Sequence, residues 1–217
     1  IHSGAIKNDG TLWCWGRNAN GQLGDGTNSL NGKSSPVQEV LANTNWTKIS
    51  LGYFHTCAIQ SDGTLWTWGN NLYGQLGNGI DITHRSSPVQ TVTGGTNWKE
   101  ITSGSRSTLA IKTDGTLWAW GHGANGELGD NQSVNRSSPV QEITGSTKWK
   151  VISSGYYSVS AIKTDGTLWC WGYNSIGQLG DGTQTHRSSP VQIGINTSWK
   201  TTSMGSTCGG FIRFSEN

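Results

Sequence analysis

Apolar positions along this chain fall in short bursts separated by turn-forming residues. Between Ser107 and Trp120 the order is Ser-Thr-Leu-Ala-Ile-Lys, then Thr-Asp-Gly-Thr, then Leu-Trp-Ala-Trp. Two apolar runs across Asp-Gly predict a β-hairpin with a two-residue turn, because Asp and Gly tolerate the positive φ that such a turn needs. Side chains alternate along a strand, so Trp118 and Trp120 share one face while Leu117 and Ala119 share the other. Apolar residues on both faces predict a sheet covered on both sides. The polar, glycine-rich "GHGANGELGDNQSVNRSS" follows. Next comes "PVQEI", a predicted third strand with Pro139 at its start, which fits an edge or first-residue position where no ladder N–H is required. "WKVISSG" is predicted as the fourth strand of the unit. No segment shows the 3.6-residue apolar period of a helix.

This pattern repeats. "DGTLW" begins at Asp9, Asp62, Asp114 and Asp165, and "SSPVQ" at Ser34, Ser86, Ser137 and Ser188. A third marker places Trp46, Trp98, Trp149 and Trp199. All 12 tryptophans fall on three positions of the repeat, and all 4 prolines on one. A period near 50 with four short strands per unit predicts an all-β fold, a β-propeller of four-stranded blades with repeats of about 51 residues, four of them present. One domain is expected over residues 1–217, its units marked by Trp13, Trp66, Trp118 and Trp169, with a partial fifth unit over 199–217. The structural core is expected to hold Trp13, Trp15, Trp66, Trp68, Trp118, Trp120, Trp169 and Trp171. "GQLG", or "GELG" at Gly126, recurs after each hairpin. It predicts a leucine plug between glycines in tight turns, since neither the helix nor the lysine of a phosphate loop follows.

Composition narrows the chemistry. The net charge is +2 with no basic run, so no nucleic-acid partner is expected. No apolar run approaches the roughly 20 residues of a membrane span, so no membrane insertion is expected. The chain opens mid-repeat at Ile1, and its single methionine is Met204. That predicts a processed chain or a fragment. The histidines at 2, 55, 84, 122 and 186 and the recurring Asp25, Asn78, Asp130 and Asp181 follow the repeat and lack metal-ligand clustering, so no metal and no cofactor is expected. No catalytic set emerges, and no enzyme is expected. Cys14 and Cys170 lie in "WCWG", whereas Cys57 and Cys208 each follow a threonine one unit later. That order makes Cys14–Cys57 and Cys170–Cys208 the disulfide candidates between neighbouring units, with four buried thiols as the alternative.

Positions that change from copy to copy are the candidates for binding, because the invariant ones are explained by folding. The loop before each hairpin offers Tyr53, Phe54, Arg106, Tyr156 and Tyr157, and the loop after each "WG" offers Arg17, Tyr73, His122 and Tyr173. Tyrosine and arginine anchor interfaces, and equivalent propeller loops gather on one rim.

The stretch "HTCAIQSDGTLWTWGNNLYGQLGNG" from His55 to Gly79 resembles the repeat of the regulator of chromosome condensation family, and the likeness recurs four times. "DGTLWxWG" with "RSSPVQ" is similar to the bacterial branch. The resemblance implies blades of a seven-bladed β-propeller and activity through protein binding. Its known forms are nucleotide exchange on a small GTPase and inhibition of β-lactamases. The chain departs from the pattern in having four repeats, in Ser107 and Ser158 where His2 and His55 stand earlier, and in losing the last hairpin. Four blades are expected to be part of a longer chain, to close alone, or to dock on other copies as a homo-oligomer or filament. The expected role is therefore a non-enzymatic bacterial module, extracellular or at the cell surface, that binds a protein partner or further copies of itself. The alternatives are an exchange factor for a small GTPase and a protein inhibitor of a secreted enzyme.

Overall fold

The computed structural model describes residues 2–79 and 82–205. The strands are β1 (His2–Ile6), β2 (Leu12–Asn18), β3 (Ser29–Gln38), β4 (Trp46–Leu51), β5 (His55–Gln60), β6 (Leu65–Gly69), β7 (Arg85–Gln90), β8 (Trp98–Ser103), β9 (Ser107–Lys112), β10 (Leu117–Gly121), β11 (Arg136–Gln141), β12 (Trp149–Ser154), β13 (Ser158–Lys163), β14 (Leu168–Gly172) and β15 (Arg187–Gln192). They form four antiparallel meanders: β1-β2-β3, β4-β5-β6-β7, β8-β9-β10-β11 and β12-β13-β14-β15. The fold is all-β, a partial propeller of consecutive blades.

Three local expectations need correction. First, the tryptophan-initiated strand opens the next blade and does not close its own: β12 joins β13, β14 and β15. These strands line up around the axis, linked by Ser103 N–H to Ser50 Oγ at 2.8 Å and Ser154 N–H to Thr102 Oγ1 at 3.1 Å. The first sheet consequently has three strands among the described residues. Residues from Trp199 to Gly205 run beside β12, with Met204 N–H bonded to Ser153 Oγ at 2.9 Å, in the place of a further inner strand.

Second, Pro139 does not open its strand; β11 begins at Arg136 and Pro139 lies inside it. β11 is the outer edge, and the register against β10 shifts between Ala119 and Gly121, so the missing N–H leaves no ladder bond unmade.

Third, the hairpin loop is not a two-residue turn. Gly115 N–H bonds to Lys112 O at 2.9 Å and Lys112 N–H to Thr116 O at 3.0 Å, and Gly115 alone takes a positive φ, +80°. That is a type I turn followed by a left-handed residue. The aspartate acts through its side chain. Asp114 Oδ1 accepts from Thr116 N–H at 2.9 Å and Thr116 Oγ–H at 2.7 Å, while Thr116 Oγ1 accepts from Trp118 Nε1–H at 2.9 Å. The same relay starts at Asp9, Asp62 and Asp165. A Cβ at Gly115 would lie 2.1 Å from Thr147 O, so close approach requires glycine as well as φ.

The core lies between blades. Leu12, Cys14 and Leu23 meet Trp46, Ala58 and Trp68; Cys57, Ile59 and Leu65 meet Trp98, Ala110 and Trp120; Leu109, Leu117 and Leu128 meet Trp149, Ala161 and Trp171. At each junction the second tryptophan of the hairpin donates to a carbonyl of the preceding blade: Trp68 to Gln22 O, Trp120 to Gln75 O and Trp171 to Glu127 O, each at 3.0 Å. A Cβ at Gly24, Gly77 or Gly129 would lie 2.7, 2.7 or 2.9 Å from that indole nitrogen. The two motifs recur together because one is the socket of the other, with the leucine plug fully buried at Leu23, Leu76, Leu128 and Leu179. Trp68, Trp120 and Trp171 are fully buried; Trp13, Trp66, Trp118 and Trp169 are half-buried, and so is Trp15. Ammonium groups cover Trp13, Trp118 and Trp169, with Lys7, Lys112 and Lys163 Nζ at 3.9, 4.2 and 3.9 Å from the rings.

The Cys14–Cys57 bridge does not form; both residues are buried free thiols. Alternation along β5 explains why. Ala58 faces Cys14 across the first junction, so its neighbour Cys57 points to the opposite side of the sheet, toward Trp98 and Trp120. Cys170 is also a buried free thiol, and the pairing with Cys208 lies outside the described residues.

Candidate functional site

Each inner strand ends in a tight loop closed by a backbone bond: Gly52 N–H to His55 O at 2.9 Å, Gly104 N–H to Ser107 O at 2.8 Å, and Gly155 N–H to Ser158 O at 2.8 Å. These loops carry Tyr53-Phe54, Ser105-Arg106 and Tyr156-Tyr157. The loops after "WG" are tied beside them through Asn70 N–H to Phe54 O, His122 N–H to Arg106 O and Tyr173 N–H to Tyr157 O, each at 2.9 Å. Both predicted loop sets therefore share one rim.

On that rim eight of the nine candidate residues join in one continuous run. Arg17 lies over Phe54 at 5.5 Å, and Phe54 meets Tyr53 edge-on at 4.5 Å. Tyr53 reaches Tyr156 at 6.1 Å, and Tyr156 meets Tyr157 at 4.5 Å. Tyr157 leans on His122 at 5.0 Å, and His122 on Tyr73 at 5.0 Å. Arg106 covers Tyr73 at 4.8 Å and donates from Nη1 to its hydroxyl at 3.0 Å. The ninth, Tyr173, stands apart, stacked on His186 at 4.6 Å. Burial pushes the Tyr157 phenol up to about 12, against the opposing pull of Arg106, so it is a neutral hydrogen-bonding group at physiological pH.

Two residues of this site escaped the pattern reading. Ser105 occupies the position that holds Tyr53 and Tyr156 in the flanking blades, and its small size lets those two rings meet over it. A cavity of about 110 Å³ lies there, lined by Tyr53, Tyr156, Ser105 and the loop glycines Gly52, Gly104 and Gly155. The buried Ser105 hydroxyl on its wall makes no hydrogen bond. Glu127 stands where the other repeats have glutamine. Its Oε2 accepts from Asn125 N–H at 2.9 Å, as the Gln22, Gln75 and Gln178 side-chain oxygens accept from Asn20, Tyr73 and Ile176. Its other oxygen holds His122 Nδ1 at 2.5 Å. The signal was present: "GELG" occurs in the one repeat that places histidine after "WG".

The remaining histidines are structural. His84 and His186 accept through Nδ1 from Asn71 N–H at 3.1 Å and Asn174 N–H at 3.0 Å. His2 and His55 lie in blade junctions, with Nε2 at 2.7 Å from Thr56 Oγ1 and 2.9 Å from Thr108 Oγ1. Burial lowers them to about 4 and about 3. Asp25 and Asp181 each accept from an asparagine of their own loop, Asn18 and Asn174, at 3.1 Å. Asp181 also pairs with Arg187 at 2.7 Å and Asp130 with Arg136 at 2.8 Å. Among the described residues no three His, Cys, Asp or Glu side chains are grouped to hold a metal.

The model of the RCC1-like domain matches residues 1–213. The ultraviolet-B receptor UVR8 of Arabidopsis thaliana is 34% identical over 194 residues, covering 88% of this chain and 44% of that protein. The mitochondrial RCC1 domain-containing protein RUG3 of the same plant is 33% identical over 204 residues, covering 90% and 46%. Among solved structures, Prp20p from Saccharomyces cerevisiae superposes with a TM-score of 0.83 at 20% identity, covering 97% of this chain and 52% of that one. This chain thus spans about half the length of the relatives it matches.

Proposed function

Because the chain belongs to the RCC1-like domain family, whose repeats build a scaffold and leave the loops free to vary, we propose that it is a non-catalytic protein-binding module whose partner docks on the aromatic rim. The run from Arg17 through Tyr53 and Tyr156 to Arg106 carries this reading. Its rings are packed on one another before any partner arrives, so little rotamer freedom remains to be lost on binding. The cavity beneath Tyr53 and Tyr156 is a socket for one partner side chain, with the Ser105 hydroxyl positioned to hydrogen-bond its polar atom. Arg17 and Arg106 at the two ends of the run favour carboxylates flanking that anchor.

The structure of Prp20p was described together with its binding to Gsp1p and histones. A rim of this kind serves the exchange-factor reading and the enzyme-inhibitor reading alike, since both work by holding a protein. A bacterial cell-surface or extracellular setting is part of the same proposal, and fractionation of source cells tests it. The binding site itself is tested with a photo-crosslinking residue at position 53 and, as control, at position 113, at the opposite end of the hairpin. Crosslinks to one partner are expected from position 53 only. The double variant Tyr53→Ala, Tyr156→Ala should weaken that partner by tenfold or more with the melting temperature unchanged. Unchanged affinity in the double variant refutes the assignment.

A further inference from the structure

The chain crosses from the outer strand of one blade to the inner strand of the next through a short loop, and two of these loops are closed by a buried carboxylate. In the loop from β3 to β4, Glu39 Oε2 accepts from Leu41 N–H at 2.7 Å, while its Oε1 accepts from Asn43 N–H at 2.8 Å and Trp46 Nε1–H at 3.1 Å. In the loop from β11 to β12, Glu142 Oε2 accepts from Thr144 N–H at 2.6 Å, while its Oε1 accepts from Ser146 N–H and Trp149 Nε1–H, each at 3.0 Å. Two backbone donors and one indole thus converge on a single carboxyl group, an arrangement of N–H groups that favours an anion.

The loop from β7 to β8 keeps this backbone without the glutamate. Its left-handed residue is Gly94 at φ +54°, matching Ala42 at +52° and Gly145 at +61°. Gly94 N–H bonds to Thr91 O at 3.0 Å, as Ala42 N–H bonds to Glu39 O at 3.1 Å. Trp98 N–H bonds to Gly63 O at 3.1 Å, as Trp46 N–H bonds to Gly10 O at 3.1 Å. Thr91 stands at the glutamate position and is too short, since its hydroxyl reaches only Thr93 Oγ1, at 3.5 Å. Trp98 is 3% exposed, and its Nε1–H makes no hydrogen bond. A buried donor without an acceptor is costly, and an anion in the glutamate's place would recover that cost. Lys112 brings positive charge to the same place. Its Nζ lies 4.8 Å from the Trp98 ring, as Lys163 Nζ lies 4.6 Å from the Trp149 ring, within the field of Glu142. Gly95 replaces Asn43 and Ser146, and a Cβ there would lie 3.9 Å from Trp98 Nε1 and 2.8 Å from Asn97 Oδ1. The indole is therefore approached past a glycine, beside an amide that can turn its own N–H toward an anion. Thr93, Gly94 and Thr96 around it are exposed to solvent.

We infer that the β7–β8 loop binds a small free monocarboxylate, of the size of formate or acetate, on Thr93 N–H, Gly95 N–H and Trp98 Nε1–H. Replacing glutamate by threonine removes the carboxyl group and leaves its donors, and formate is that carboxyl group. The ligand is an anion because the three groups are all donors and Lys112 adds a positive charge. It is a carboxylate and not a halide because the donors are divided between two oxygens: in the loops that carry glutamate, one backbone N–H takes Oε2, and the other N–H and the indole take Oε1. So small a ligand binds at millimolar concentration at best. Trp98 opens β8 and Gly104 follows its other end, so the site is separate from the aromatic rim and does not depend on a partner docking there.

The experiment is a titration of the nitrogen-15-labelled chain with sodium formate, exchanged for sodium chloride at constant ionic strength, with the indole N–H signals followed by nuclear magnetic resonance. Replacing Trp46, Trp98 and Trp149 one at a time by phenylalanine assigns their signals. The Trp98 signal should shift saturably with a millimolar midpoint, while those of Trp46 and Trp149, already bonded to glutamate, stay in place. Thr91→Glu puts a carboxylate of the chain itself on the same donors. It should raise the melting temperature and abolish the response of Trp98 to formate. Glu142→Thr should make Trp149 respond as Trp98 does in the wild type. A Trp98 signal that does not move with formate overturns the proposal. Equal movement of all indole signals overturns it as well, and so does a response that survives Thr91→Glu, because the anion then acts elsewhere.

Discussion

His55 allows a blade junction to be weighed by pH alone. It sits between the second and third sheets, fully buried, with Nε2 2.9 Å from Thr108 Oγ1. Gly52 makes room for it, since a Cβ there would lie 2.4 Å from the ring. Burial, with the neighbouring His2 adding to it, lowers His55 from 6.5 to about 3. The unfolded imidazole therefore takes up a proton first, so the stability contributed by neutral His55 is complete above pH 6.5 and is lost as pH falls toward about 3. At about pH 5 the unfolded residue is protonated and the folded one is not. The gap of roughly 1.5 pH units at about 1.4 kcal/mol per unit removes about 2 kcal/mol. The control is His55→Ser, because Ser107 and Ser158 already stand at this position in the next two blades. Urea unfolding followed by tryptophan fluorescence at about pH 7.5 and about pH 5 should show wild type losing about 2 kcal/mol more than the variant. Equal losses would refute the burial argument for His55.

Gly77→Ala and Gly180→Ala impose the same left-handed strain, at φ +63° and +72°, but only the first drives a methyl to 2.7 Å from an indole. In dilute solution Gly77→Ala should cost about 1–3 kcal/mol more than Gly180→Ala in chemical denaturation; equal costs would mean that the Trp120 socket is slack. Burial raises Cys14, Cys57 and Cys170 to about 12, 11 and 12. At mildly alkaline pH all three should resist a thiol reagent until the protein unfolds, and peptide mapping that finds Cys14 linked to Cys57 would contradict the junction geometry. Thr116→Val removes the middle of the Asp114-to-Trp118 relay at nearly constant volume and should cost about 1–2 kcal/mol, measured as a shift in the urea midpoint with an unchanged slope.

The repeat, the strand count and the buried leucine were legible because each is written four times, and period-2 alternation placed Leu117 and Trp120 on their correct faces. What was not legible was phase. "WKVISSG" was a sound strand prediction, but which sheet it joins depends on the path of the chain back to the axis, and no local pattern encodes that path. The Cys14–Cys57 pairing failed for a related reason, and the alternative of buried thiols holds for both residues. Cys14 and Cys57 occur in adjacent units, but the side a residue faces is set by its parity along the strand, and Ala58 holds the facing parity. The rim residues could be nominated because they vary between copies. Their order along the run, and the separation of Tyr173 from it, needed the geometry.

The same logic explains why the tryptophans, the most interface-like residues by composition, are not the residues proposed for binding a partner. Their indoles are committed: one set is relayed through threonine to the turn aspartate, a second donates from Trp68, Trp120 and Trp171 to the neighbouring blade's carbonyl, and in the third Trp46 and Trp149 donate to Glu39 and Glu142. A substitution there breaks a junction, and each junction stands in series with the others along the row of blades. The rim residues carry no such load. Tyr53, Ser105 and Tyr156 occupy one repeat position with two different side chains, and the loops beneath them close on identical backbone hydrogen bonds. Because the closure uses main-chain atoms, the side chain at that position is free to differ from blade to blade. Ser105 shows what that freedom does: a tyrosine there would fill the cavity, whereas a serine leaves a socket walled by the tyrosines of the two flanking blades. The fold repeats its backbone in order to vary its rim, and the binding chemistry is to be sought where the repeats disagree.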